Sequence, residues 1–326
     1  MQTLLIDSVV DQIKRESDLR AFVICLGITL LILLNPSASA GPIRDRIIAE
    51  RIANAQSDED DSGASGKASM PAGVTVQRDV AYGTDSAQRM DVYIPQNAHN
   101  APVLFMVHGG AWFVGDKASA NVVENKVARW LPKGVVIISV NYRLMPNANP
   151  LVQTSDVAMA LAKAQGLATS WGGDPTRFIL MGHSAGAHLV ALIASAPDIA
   201  KQHGVHPWLG TVMLDSAALD VVQIMESKHM RLYDKAFGSD PSGWQAASPY
   251  HRLSAMTAPL LAVCSTQRDD SCPQARNFVA KASSLGARSS ILPVDLSHKK
   301  INRDLGLPSA YTDSVESFMR SLGLPL

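Results

Sequence analysis

From Val74 onward, short apolar runs alternate with longer stretches of mixed polarity. Ala101 to Val107 (APVLFMV), Val135 to Asn141, Arg177 to Met181, Thr211 to Leu214, Pro259 to Ser265 (PLLAVCS) and Ser289 to Val294 (SSILPV) are nearly free of charge. Runs of this kind without alternation predict strands buried on both faces. Val74 to Tyr82 and Arg89 to Ile94, bounded by Pro71 and Pro95, predict two opening strands. Ser155 to Ser170, rich in Ala and Leu, and the run after Ser184 predict helices. Strands alternating with helices imply right-handed crossovers and a mostly parallel central sheet with helices on both faces, an α/β fold. Asp220 to Met256 is a longer excursion between two strands. Excursions of that length at a sheet edge cap sites, so Tyr233, Trp244 and Tyr250 are expected to line a pocket together with Trp112 and Phe113.

Composition agrees with a large buried core: 47% of residues are hydrophobic and 18% charged. Lys+Arg and Asp+Glu balance at 29 each, so no basic excess argues for nucleic acid or an anionic membrane surface.

The N-terminal region reads differently. Ala21 to Leu34 (AFVICLGITLLILL) is uninterrupted apolar sequence, shorter than the roughly 20 residues of a spanning helix. Asn35-Pro36 and then Ala38-Ser39-Ala40 follow, the small-x-small pattern of a signal-peptidase site. Residues 1–40 are therefore expected to form a signal peptide cut after Ala40, with export of the mature chain and no stable membrane span in it. Without cleavage the chain would stay membrane-anchored. The segment before the apolar run carries Lys14, Arg15 and Arg20 against Asp7, Asp11, Glu16 and Asp18, which is not the expected positive balance. Initiation at Leu19 would leave Arg20 as the only charge there. Residues 41–72 read as a linker, with an acidic, Ser/Gly-rich stretch from Ser57 to Ser69 expected to be disordered. Residues 73–326 are then the folded domain.

Three motifs carry chemistry. Arg177 to Met181 runs into Gly182-His183-Ser184-Ala185-Gly186 and then a helical stretch. Small residues two before and two after Ser184 let a strand turn sharply into a helix, exposing the hydroxyl above the sheet and aiming the Ala185 amide at an oxyanion. The strand Ala101 to Val107 ends in His108-Gly109-Gly110-Ala111-Trp112, where glycines let successive N–H groups point away from the ladder. Amides of Gly110 and Ala111 would supply such donors, and one is worth about 2.7–4 kcal/mol of barrier in acyl transfer.

Taken together, HGGAWFVGDK, VNYRL, WGGDPTRF and GHSAGAH resemble the α/β-hydrolase fold serine carboxylesterases, close to bacterial esterases of the hormone-sensitive-lipase-like group. The similarity runs from about Val74 to the C-terminus. Ala111 replaces the third glycine of the usual HGGG, which leaves the backbone donors in place. The resemblance implies an acid and then a histidine following the serine, each after a strand. The family pattern selects Asp269, beyond the strand Pro259 to Ser265, with adjacent Asp270 as the alternative. His298, after Ser289 to Val294, is the histidine. The implied activity is hydrolysis of a small-molecule or polymeric carboxylic ester through Ser184, His298 and Asp269, with Gly110, Ala111 and Ala185 holding the oxyanion and no cofactor. GHSAGAH also occurs in arylformamidases, so an amide hydrolase is one alternative; a catalytically inactive binding module is another.

Cys264 and Cys272 bracket the loop carrying Asp269. In an oxidising compartment they either form a disulfide or remain a buried strand thiol and a loop thiol. His188, one turn beyond Ser184, is expected to pack against the sheet. No H-E-x-x-H, zinc-type Cys/His spacing or phosphate-binding glycine motif is present, so the sequence offers no metal site and no nucleotide site.

Overall fold

The computed structural model describes residues 74–255 and 258–326. The expected signal peptide and linker lie outside them. Eight strands form one sheet in the order β1-β2-β4-β3-β5-β6-β7-β8. These are β1 (Thr75–Ala81), β2 (Arg89–Ile94), β3 (Ala101–Val107), β4 (Val136–Val140), β5 (Gly173–His183), β6 (Gly210–Leu214), β7 (Leu260–Ser265) and β8 (Ser289–Val294). β2 pairs antiparallel with β1 and with β4, and every later pairing is parallel.

The apolar runs behave as predicted because both sheet faces are covered. Val103, Phe105 and Val107 of β3 belong to one core layer, with Phe178 and Leu180 of β5; Leu104 and Met106 belong to the other, with Ile179 and Met181. This is the two-residue period of a strand with both of its sides filled. The helices are α1 (Ala120–Trp130), α2 (Pro150–Leu167), α3 (Ala185–Ser195), α4 (Pro197–Gln202), α5 (Val221–Met225), α6 (Arg231–Phe237), α7 (Pro241–Ala247), α8 (Pro249–Arg252), α9 (Ser271–Ser284), α10 (His298–Arg303) and α11 (Ala310–Ser321). The excursion between β6 and β7 is thus four short helices, α5 to α8.

α2 starts at Pro150, five residues ahead of the expected Ser155. Asn149 Oδ1 accepts from Val152 N–H at 3.0 Å, and Pro150 occupies the first turn, where its missing N–H leaves nothing unpaired. β5 likewise begins at Gly173, ahead of Arg177. Among the described residues no helix is long and apolar enough to cross a membrane.

Register fixes what meets at the carboxyl edge. Val107 is level with Gly182, His183 with Leu214, Leu214 with Val263 and Ser265 with Val294. Residues immediately beyond these positions therefore crowd one rim, as ligand-binding residues do in open parallel sheets.

Candidate active site

Ser184 occupies φ 55°, ψ −118°, between the end of β5 and the start of α3. Its N–H donates to Leu214 C=O at 2.9 Å, and its carbonyl accepts from His188 N–H at 3.1 Å. The flanking glycines are required by contact. A Cβ on Gly182 would come within 2.3 Å of Gly186 O, and one on Gly186 within 2.3 Å of Val107 O. Only bare backbone lets the helix start so close to β3.

The loop after β3 holds Gly110, Ala111 and Trp112 at successive positive φ values of 112°, 53° and 65°. Phe113 and Val114 N–H both donate to Gly110 O at 3.0 Å, while Trp112 O accepts from Met145 N–H and Gln153 Nε2, each at 2.9 Å. Of the seven non-glycine residues with positive φ among the described residues, Ala111, Trp112, Ser184 and Asp215 lie at this rim. Each such conformation costs on the order of 1–3 kcal/mol and persists only when its surroundings impose it. Ala111 and Ala185 wall a narrow cleft of about 20 Å³ beside Ser184, together with Trp112, Tyr233 and Arg268. Gly110 is not part of that wall and turns the chain into it.

His298 opens α10 and is 7% exposed. His183, next to the serine, lies beside it. Their ring centroids are 4.5 Å apart, and His183 Nε2–H donates to His298 O at 2.9 Å. Burial, and then the charge of His298, pushes His183 well below the ordinary histidine range, so it is a neutral donor.

The carboxylate facing His298 is Asp215, not Asp269. His298 Nδ1 lies 2.5 Å from Asp215 Oδ2. The same oxygen accepts from Arg268 Nη1 at 2.9 Å, while Oδ1 accepts from Ser265 N–H at 2.7 Å and from Ser271 Oγ–H. Burial opposes ionisation of Asp215, but the hydrogen bonds and positive charges around it outweigh burial and hold the carboxyl far below its usual range. The anion is therefore fixed. Arg268 Nη1 also lies 2.8 Å from His298 Nδ1. A ring nitrogen 2.5 Å from a carboxylate oxygen must carry the shared proton, so Nδ1 is the donor and Arg268 spends its hydrogens on Asp215. Nε2 then keeps its lone pair.

Asp269 is exposed and borders a separate open groove with Met230, His229 and Asp270. Asp270 pairs with Arg268 at 3.2 Å and sits at the N-cap position of α9 without a side-chain cap. Asp269 follows β7, one strand further along; β6 adjoins β5 directly, so the residue after Leu214 emerges nearer the elbow. The signal was present in the sequence, since Asp215 ends an otherwise apolar strand (TVML) at the same rim.

Trp112 and Tyr233 line the cleft as expected, whereas Phe113, Trp244 and Tyr250 do not. Trp112 packs edge-on against Phe237 at 5.1 Å, and its Nε1–H donates to His188 Nδ1 at 3.3 Å. His188 Nε2–H donates to Ala247 O at 2.8 Å, and burial pushes the ring down to about 4. His188 thus ties the loop after β3 to α7 and the rest of the cap, rather than merely packing on the sheet. On the far side of His298, buried Lys126 Nζ donates to Asn302 O (2.6 Å) and Oδ1 (3.0 Å), anchoring α10, and burial pushes it down to about 7.

Cys264 and Cys272 are disulfide-bonded, with Cα atoms 5.1 Å apart. The bridge closes the loop supplying Ser265 N–H, Arg268 and Ser271 to Asp215. Replacing both cysteines by alanine is expected to cost about 2–3 kcal/mol of loop-closure entropy, read as a Tm lower by roughly 5–10 °C. Thermal denaturation of the two proteins checks this; equal Tm values would refute it. Among the described residues no group of three His, Cys, Asp or Glu side chains could hold a metal.

Residues 90–281 match the BD-FAE family model. The chain is 34% identical over 117 residues to a probable isoprenylcysteine alpha-carbonyl methylesterase of Oryza sativa subsp. japonica, covering 36% of this chain and 28% of that protein. It is 28% identical over 227 residues to esterase LipC of Mycobacterium tuberculosis, covering 63% and 54%. It therefore spans between about a quarter and a half of the length of these relatives. Among solved structures, a truncated carbohydrate esterase from gut microbiota superposes with a TM-score of 0.67 at 18% identity, covering 79% of this chain and 99% of that one. That likeness establishes a shared fold.

Proposed function

The chain belongs to the BD-FAE family of α/β-hydrolases, and from this premise we propose that it hydrolyses carboxylic esters through Ser184, His298 and Asp215. The observation that carries the proposal is the buried His298 Nδ1–Asp215 Oδ2 pair, whose histidine packs against His183, the residue before the strained Ser184. In the proposed reaction His298 Nε2 takes the Ser184 proton as Oγ attacks the ester carbonyl. The backbone N–H groups of Gly110, Ala111 and Ala185 donate to the oxyanion. The C–O bond then breaks, the alcohol leaves with the proton from Nε2, and an acyl-enzyme remains. Water repeats the sequence, giving the carboxylic acid and free Ser184. Asp215 stays ionised throughout and stabilises the imidazolium.

The cleft beside Ser184 is narrow, and the open groove that meets it at Ala217 and Tyr233 leaves room for the larger part of a substrate. Turnover of p-nitrophenyl acetate, with a fluorophosphonate captured on the peptide containing Ser184, tests the reading. An N-formyl aromatic amine in the same assay separates it from the formamidase alternative. Absence of both turnover and label would defeat it and leave the binding-module reading.

Export is part of the same proposal. Its support is the run from Ala21 to Leu34, the Ala38-Ser39-Ala40 site and the disulfide, a bond suited to an oxidising compartment. The exported chain is expected to begin at Gly41, which N-terminal sequencing checks; a secreted or periplasmic chain starting elsewhere would refute that cleavage site.

A further inference from the structure

Asp215 Oδ2 serves two cationic partners on one oxygen. Arg268 Nη1 reaches it at 2.9 Å and His298 Nδ1 at 2.5 Å, with 2.8 Å between the two nitrogens. Here a permanent guanidinium, always protonated, takes half of that oxygen. Arg268 also lines the cleft beside Ser184, and its other nitrogen is held by Asp270 at 3.2 Å. The loop it sits on is closed by the disulfide.

We propose that Arg268 is a positioning residue for the Ser184 site, one that shares Asp215 Oδ2 with His298 and so weakens the hold of that carboxylate on the imidazolium. The inference rests on the reading of Ser184, His298 and Asp215 given above. One consequence follows from charge alone. Removing the positive charge that lies 2.8 Å from Nδ1 leaves Asp215 to act on the protonated ring alone, which strengthens their attraction.

The other groups facing this cluster are few. His183 from β5 is neutral and donates to the His298 carbonyl. Ser184 lies on the elbow. Asp270 pairs with Arg268 from the solvent side, and Tyr233 of α6 lies near Arg268. Lys126 of α1 binds Asn302, with Asp304 beyond α10 and Tyr311 of α11 completing the set. None of them places a second cation against Nδ1.

The test is the pH profile of kcat/KM for p-nitrophenyl acetate in the full chain. Arg268→Met keeps the length of the side chain and removes its charge, and is expected to move the acidic limb up by about one pH unit. Arg268→Lys keeps the charge and should stay within about 0.3 unit of wild type. Asp270→Asn removes the countercharge from the exposed side, and should move the limb the opposite way, down by a few tenths. This last variant keeps the question open to refutation should Arg268→Met fail to fold. An Arg268→Met profile superimposing on wild type, or a Lys variant shifting as far as the Met variant, would overturn the proposal. Were Arg268→Met unfolded, an upward or absent shift in Asp270→Asn would overturn it. Failure of the underlying reading looks different: wild type would show no turnover, or Ser184→Ala would retain it.

Discussion

Asp215→Asn is expected to lower kcat for p-nitrophenyl acetate by about 10⁴-fold, close to 5.5 kcal/mol of barrier, while Asp269→Asn stays within about threefold of wild type. The direction follows from the donors around Asp215. Ser265 N–H is a fixed backbone donor to Oδ1 at 2.7 Å, so the amide oxygen of the variant is held on that side. Its NH₂ then faces His298 and Arg268, both donors in wild type. Nδ1 can meet an NH₂ only as an acceptor, which puts the ring proton on Nε2, the nitrogen that acts as base in the proposed reaction. That tautomer cannot take the serine proton. Asp269 is exposed and has no part in this exchange. Steady-state kinetics with fluorophosphonate titration, so that only folded sites are counted, reads both variants. A large loss at Asp269 with a small one at Asp215 would reverse the assignment.

The two aspartates also show where sequence reading succeeds and where it stops. The strands were legible because burial on both faces leaves uninterrupted apolar runs, and β3 and β7 fall where those runs lie. Ser184 was legible because the close approaches of Gly182 and Gly186 to neighbouring backbone can be met by no other residue type. His298 followed from chain order. The acid did not, because chain order allows a carboxylate after β6 or after β7, and the choice depends on how far each strand end lies from His298. The ion pair with Arg268 could not be seen either, since it depends on a long side chain folding back across the rim from the loop after β7. The role of His188 was hidden for a related reason: its two partners, Trp112 and Ala247, stand far from it in sequence and on opposite sides of it.

Ser184→Ala is expected to reduce kcat/KM by at least about 10⁴-fold with little change in Tm. Alanine at φ 55° is no more strained than serine there, and no hydrogen bond that holds the elbow passes through the hydroxyl. The more demanding measurement is the double variant Ser184→Ala/Asp215→Asn. If Asp215 acts only by setting the tautomer of the base that deprotonates Ser184, its contribution vanishes once the hydroxyl is gone, and the double variant loses no more than Ser184→Ala alone. Independent contributions would instead multiply to about 10⁸-fold. The residual rate in both serine variants should come from the cleft and its backbone donors, which neither substitution touches. A double variant clearly slower than Ser184→Ala would mean that Asp215 stabilises the reacting groups by some other route, such as holding the Arg268 charge at the cleft wall.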